Sequence, residues 1–80
     1  MTTSPPPITL GAAIVAHRKH AGLSQAALSR TTGINQSTIS RIESDRVDPT
    51  ASTLYYIAAG IGCSLSTLLT DTLSPRLESE

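Results

Sequence analysis

The chain has 80 residues, 39% of them hydrophobic, and its six lysines and arginines balance its six aspartates and glutamates. This length accommodates one small domain with a single core. The core is expected to be aliphatic, because the only aromatic residues are Tyr55 and Tyr56. Little material is left for a deep substrate pocket. The sequence has neither a signal peptide nor the roughly 20 apolar residues that span a membrane, and Cys63 is the only cysteine, so we expect a cytoplasmic protein without disulfides.

Residues 1–7 end in three consecutive prolines, which predicts a disordered lead-in. Apolar residues at helical spacing begin at Leu10, and Gly22 is expected to end this first helix. Ser24 is the expected N-cap of a second helix, which ends at Gly33.

Asn35 is the expected N-cap of a third helix, and a loop with the sequence SDRVDP follows it. Either Thr50 or Asp48 should cap a fourth helix, which stops near Gly62, and Ser64 should cap a short fifth helix. No stretch alternates with the period of two residues that is typical of a strand. The sequence therefore predicts an all-α bundle of five helices.

The second and third helices have the residue sizes that a tight helix-turn-helix corner needs. Gly33 supplies the left-handed backbone conformation at the corner, and Ala26, Ala27 and Ser29 are small enough for two helices to approach closely. Apolar residues suited to the inward faces are Leu28, Ile34, Ile39 and Ile42. With these residues turned inward, the side chains expected to face outward are Gln36, Ser37, Ser40, Arg41 and Ser44.

The segments GLSQAALSRTTGINQSTISRIES and DPTASTLYYIAAGIGCSLSTLL resemble the Cro/phage-repressor (XRE-type) helix-turn-helix family, from about Leu10 to Leu69. The resemblance implies an all-α, five-helix, lambda-repressor-like bundle whose third helix lies in the major groove of double-stranded DNA, usually in a two-fold dimer. Residues 8–70 are then the domain, and residues 71–80 are an acidic tail that contributes to a dimer interface.

Matched position by position, the family implies roles for individual side chains. Base contacts are expected from Asn35, Gln36, Ser37 and Arg41. Phosphate contacts are expected from Ser24, Gln25, Ser40, Ser44 and Arg46. Arg18 and Glu43 are expected to form a partly buried, structural ion pair. A glutamine can pair with adenine and an arginine with guanine, and helix N-termini bind phosphate, so a neutral chain can still bind DNA.

Two features depart from the family's pattern. The sequence Ser44-Asp45-Arg46 replaces the glycine-containing turn that often follows the third helix, and Asp45 and Asp48 bring negative charge near the DNA backbone. Gly60 lies inside the fourth helix, which indicates close packing there.

The end of the chain carries more leucines than a small core needs. We expect a dimer interface there, formed by Leu65, Leu68, Leu69 and Leu73. The alternative is that Leu65 and Leu68 only close the core.

The expected function is that of a transcription regulator, a repressor that binds a two-fold symmetric operator as a homodimer. We expect no enzyme activity, cofactor, metal or membrane association. The alternative is a protein-interaction module, such as an antitoxin or adaptor, whose fourth and fifth helices bind a partner protein.

Overall fold

The computed structural model describes residues 9–72, and over this range it contains five α-helices and no strand. The helices are α1 (Leu10–His20), α2 (Gln25–Thr32), α3 (Gln36–Glu43), α4 (Ala51–Ile61) and α5 (Leu65–Asp71). The all-α, five-helix prediction is confirmed. The predicted lead-in and the tail beyond Thr72, including Leu73, lie outside the described residues.

Four of these helices have a serine or threonine as their N-cap residue. The oxygens of Thr9, Ser24, Thr50 and Ser64 each accept a hydrogen bond from the backbone N–H three residues further on, which satisfies a donor that the helix leaves without a partner. Thr50, rather than Asp48, is therefore the cap of α4. Asn35 occupies the N-cap position of α3, but its side chain makes no capping hydrogen bond.

All five helices contribute aliphatic side chains to one core. The largest fully buried side chains are Ile14, Leu28, Ile39, Ile57 and Leu68. Helix α4 supplies more of the core than any other helix, because its apolar residues recur at the three- and four-residue spacing of one helix face. Burial of each such side chain contributes about 1.5–3 kcal/mol.

The leucines of α5 divide between the core and the surface, and the burial of Leu68 does not fit the role predicted for it in a dimer interface. Leu68 is fully buried, and Leu65 is partly buried against the core. Leu69 is 51% exposed. Leu68 is required by the monomer's own core, so it is not available to a second molecule.

Two glycines allow helices to approach more closely than a side chain would permit. A Cβ on Gly11 of α1 would lie 2.5 Å from the carbonyl oxygen of Glu43 and 2.6 Å from that of Ile42. A Cβ on Gly60 of α4 would lie 2.7 Å from the Thr32 methyl on α2. The close packing predicted at Gly60 is therefore present, and Gly11 serves the same purpose between α1 and the end of α3.

Within residues 9–72, no helix has the length and apolar character that crossing a membrane requires. Over the same residues, no cluster of three or more His, Cys, Asp and Glu side chains could hold a metal ion.

Candidate nucleic-acid interface

Helices α2 and α3 meet at a corner of three residues, Gly33, Ile34 and Asn35. Gly33 has a φ of 78°, a left-handed conformation that a Cβ would disfavour. Its N–H donates to the carbonyl of Ser29 at 2.8 Å and so closes the last turn of α2. The chain can therefore change direction within three residues and start α3 against α2.

Helix α3 has one buried face and one exposed face. Ile39 and Ile42 lie in the core, and Glu43 is buried as well. Exposed side chains on the same helix are Gln36, Ser37, Ser40 and Arg41. The four side chains predicted to contact bases are therefore all exposed: Asn35, Gln36 and Ser37 at the start of α3, and Arg41 in its last turn.

A buried ion pair fixes the end of α3 to α1. The Nε of Arg18 donates to Oε2 of Glu43 at 2.7 Å, and Nη2 donates to Oε1 at 2.9 Å. The third guanidinium nitrogen, Nη1, donates to the carbonyl of Leu23 in the α1–α2 turn at 2.9 Å. All three guanidinium nitrogens therefore have hydrogen-bond partners, and without them the burial of this charge would be strongly unfavourable.

Gln25, at the start of α2, joins this network. Its Nε2 donates to Oε1 of Glu43 at 2.9 Å, so one carboxylate links α1, α2 and α3. An amide nitrogen carries two hydrogens, and the bond to Glu43 uses one of them. Gln25, which is predicted to contact phosphate, is thus also hydrogen-bonded to Glu43, the residue that holds the end of α3.

Two of the three hydroxyls predicted to contact phosphate, those of Ser24 and Ser44, have partners within the protein. Ser24 Oγ accepts from the Ala27 N–H at 3.0 Å as the cap of α2. Ser44 Oγ donates to the carbonyl of Ser40 at 2.9 Å. A capping hydroxyl still has its hydrogen to donate, whereas the Ser44 hydrogen is already used, so Ser44 is left with acceptor capacity only.

Asp45 has a structural role that the sequence analysis missed. It is the only residue other than glycine with a positive φ, 61°, among residues 9–72. Its carboxylate accepts hydrogen bonds from the Gly11 N–H at 3.0 Å and the Thr9 hydroxyl at 2.6 Å. The carboxylate therefore lies at the positive N-terminal end of α1, where a negative charge is stabilised. The two partners are more than 30 residues away in sequence, so no local pattern identifies them.

These pairings change the charge balance around α3. Glu43 is neutralised by Arg18, and Asp45 is held at the start of α1. The exposed charged residues on or next to α3 are Arg41, Asp45, Arg46 and Asp48. Neither α2 nor α3 has an acidic residue in its first turn. The two arginines balance the two aspartates in formal charge, and the α1 N-terminus offsets part of the negative charge of Asp45.

A family model for helix-turn-helix proteins, HTH_3, matches residues 14–68, which is more than half of the chain. This chain is a member of the Cro/phage-repressor (XRE-type) helix-turn-helix family. Membership in this family makes the protein a DNA-binding transcription regulator. The comparison with curated proteins gave no match.

Three solved structures share the fold. The DNA-binding domain of the P22 c2 repressor is 30% identical, with a TM-score of 0.73 over 86% of this chain and 86% of that domain. An HTH_3 family transcriptional regulator from Vibrio cholerae is 31% identical, with a TM-score of 0.74 over 88% of this chain. This chain spans only 38% of that regulator. A hypothetical transcription factor from Neisseria, NHTF, has the same fold at 24% identity, with a TM-score of 0.72 over 96% of this chain and 94% of its own.

Proposed function

We propose that this helix-turn-helix protein is a repressor that binds a two-fold symmetric operator as a homodimer, with α3 in the major groove. The observation that carries the proposal is the division of α3 into two faces. One face is held by Ile39, Ile42 and the Arg18–Glu43 ion pair, and the other presents polar side chains to solvent. Rigidly held polar groups on an exposed helix suit the reading of base edges.

Base contacts are assigned to Gln36 and Arg41, with Asn35 and Ser37 beside them. Within residues 9–72, Gln36 and Arg41 make no side-chain hydrogen bond or ion pair with the protein, so their donors are available to DNA. A glutamine amide matches the N6 and N7 atoms of adenine, and a guanidinium matches O6 and N7 of guanine. Each such pair favours the matching base over a wrong base by about 1–3 kcal/mol of binding free energy.

Phosphate contacts are assigned to Ser24 and Gln25 at the start of α2, and to Ser40 and Arg46 at the end of α3 and beyond it. The predicted contact of Ser44 requires its hydroxyl to exchange the Ser40 carbonyl for a phosphate oxygen. Only Arg46 among these carries a charge. The salt dependence of DNA affinity follows the number of phosphates that cations neutralise. We therefore expect a shallow dependence, with most phosphate contacts supplied by hydroxyl, amide and backbone groups.

Dimerisation is assigned to α5 and the adjoining surface of α4. Leu69 of α5 is half exposed, and Tyr55 and Tyr56 of α4 are both exposed, with their rings in an edge-to-face pair 5.9 Å apart. No charged residue occurs from residue 51 to residue 70. Charge depletion together with exposed tyrosine is typical of the centre of a protein interface. Two copies joined here would match half-sites about 10 base pairs apart.

A gel-shift experiment with DNA from upstream of the protein's own gene tests the DNA-reading face. The wild type is run beside Gln36→Ala, Arg41→Ala and the control Arg30→Ala, which removes the same charge from an exposed position on α2. Loss of one base contact should weaken binding by about 5- to 150-fold, and Arg30→Ala should cost much less. Equal binding by all four proteins would contradict the assignment of α3.

Sedimentation without DNA tests the dimer. A dimeric mass at tens of micromolar is expected, and Leu69→Ala should shift it toward the monomer. The uncharged surface of α4 and α5 also favours the second candidate, a protein-interaction module. Failure of the wild type to bind any DNA, with a monomeric mass, would favour that candidate over the repressor.

A further inference from the structure

Two hydroxyl side chains of α2 hold the backbone of Ile34, the middle residue of the corner before α3. Ser29 Oγ donates to the carbonyl of Ile34 at 2.5 Å. The N–H of Ile34 donates to Thr32 Oγ1 at 3.2 Å. The backbone N–H and carbonyl of Ile34 are thus both hydrogen-bonded to side chains of α2, although Ile34 belongs to neither helix.

Thr32 is itself held on two sides. Its hydroxyl donates to the carbonyl of Leu28 at 2.8 Å, which orients the oxygen toward Ile34. Its methyl faces Gly60 of α4, where an added Cβ would lie only 2.7 Å away. A threonine has few rotamers available in a helix, and these contacts select one of them.

The corner hydroxyls act at the opposite end of α3 from the ion pair. Glu43, bound by Arg18 and Gln25, fixes the last residue of α3, and Ser29 and Thr32 fix the residue that leads into its first turn. The side chains assigned to base contacts begin at Asn35, directly after Ile34. A small rotation of the chain at Ile34 would therefore displace Gln36 and Ser37 more than it would displace the core.

We propose that Ser29 and Thr32 are positioning residues for DNA recognition. They set the direction in which α3 leaves α2, and their loss reduces discrimination between DNA sequences more than it reduces binding to DNA in general. This inference rests on the proposed role of α3 in reading DNA.

The variants that test this remove hydroxyls without changing shape. Ser29→Ala combined with Thr32→Val removes both hydroxyls and keeps the branching at residue 32. Thr32→Ser keeps the hydroxyl and removes only the methyl. Thr31→Val is the matched control, because Thr31 is the exposed neighbour on the same helix.

The probe is a duplex selected from a random library by the wild-type protein, together with a scrambled duplex of the same composition. Affinities are measured by fluorescence anisotropy at a temperature where every variant is fully folded by circular dichroism. We expect the double variant to lose about tenfold in affinity for the selected duplex, which is the scale of one weakened base contact, and to bind the scrambled duplex like the wild type. Thr32→Ser and Thr31→Val should keep the wild-type ratio. An equal loss on both duplexes, or no loss on either, would overturn the proposal.

A measurement without DNA separates this proposal from the proposed function. By NMR, the double variant should show faster hydrogen exchange at the Ile34 amide and chemical-shift changes concentrated at residues 34–38. If the wild type selects no duplex, the proposed function fails and the NMR result decides alone. Unchanged exchange at Ile34 with unchanged shifts in α3 would then show that the hydroxyls do not position the helix.

Discussion

Replacing Glu43 with alanine should remove the strongest link between α3 and the rest of the domain. The carboxylate of Glu43 accepts two hydrogen bonds from Arg18 and one from Gln25. Glu43→Ala leaves the Arg18 guanidinium buried, at 8% exposure, with only the Leu23 carbonyl as a partner. Loss of one partner of a buried ion pair costs about 3–5 kcal/mol.

That cost is large for a chain of this size. At about 0.05–0.15 kcal/mol per residue, the total free energy of unfolding is about 4–12 kcal/mol. One kcal/mol corresponds to about 4–8 °C in a small domain, so Glu43→Ala should lower the melting temperature by at least about 12 °C. DNA binding should weaken with it, because the end of α3 is no longer held.

The assay is urea and thermal unfolding followed by circular dichroism, with Arg18→Met/Glu43→Leu measured beside the single variant. Replacing both partners with apolar side chains removes the uncompensated charge, and such replacements are often neutral. Here the recovery should be partial, because the Leu23 carbonyl and the Gln25 amide each lose a partner. Asp48→Ala, which removes an exposed carboxylate, is the control and should change stability by less than about 0.5 kcal/mol.

The expected order of stability is therefore wild type, then the double variant, then Glu43→Ala. Two results would refute the reasoning. One is a loss of less than about 1 kcal/mol in Glu43→Ala, which would mean that water or another group replaces the pair. The other is a double variant less stable than Glu43→Ala, which would mean that the buried charge is not the source of the cost.

Three further predictions concern stability and association. Gly11→Ala should lower the free energy of unfolding by about 1–3 kcal/mol, despite alanine's higher helix propensity, because the new Cβ would meet backbone carbonyls that cannot move aside; urea unfolding that shows a gain in stability would contradict this. Asp45→Ala should lower the free energy of unfolding by about 1–2 kcal/mol, because the contacts to α1 are lost. In the same urea unfolding experiment Asp45→Asn should lose less stability, since the amide oxygen of asparagine can still accept a hydrogen bond. Leu68→Ala should lower the free energy of unfolding by about 2–5 kcal/mol, because it leaves a cavity in the core. Leu69→Ala should leave the melting temperature within a few degrees of the wild type and should instead shift the dimer toward the monomer, which sedimentation would show.

Most of the helix boundaries followed from local chemistry. Ser24, Thr50 and Ser64 cap helices because a hydroxyl can accept from the N–H three residues ahead, and Gly33 ends α2 because it tolerates a left-handed backbone. Each of these interactions lies within about four residues of sequence, so the sequence alone specifies it. The inward spacing of Ile39 and Ile42 is local in the same sense and predicted the exposed face of α3.

The tertiary structure decided the features that depend on residues distant in sequence. Asp45 looked like an unfavourable charge near DNA, and its partners at Thr9 and Gly11 became visible only when α1 and the end of α3 came together. Leu68 and Leu69 are neighbours of the same type, and only packing against the other helices placed one in the core and one on the surface.

The sequence by itself thus determined the family, the five helices and the polar face of α3, because these follow from periodicity, caps and a short corner. The structure added how that face is held: by Glu43 at one end of α3 and by Ser29 and Thr32 at the other. The contacts of Glu43 join residues that are 25 and 18 positions apart in sequence, and they depend on the direction and separation of packed helices, which a linear pattern does not specify. The bonds to Ile34 are close in sequence, but they depend on the direction in which the chain leaves α2.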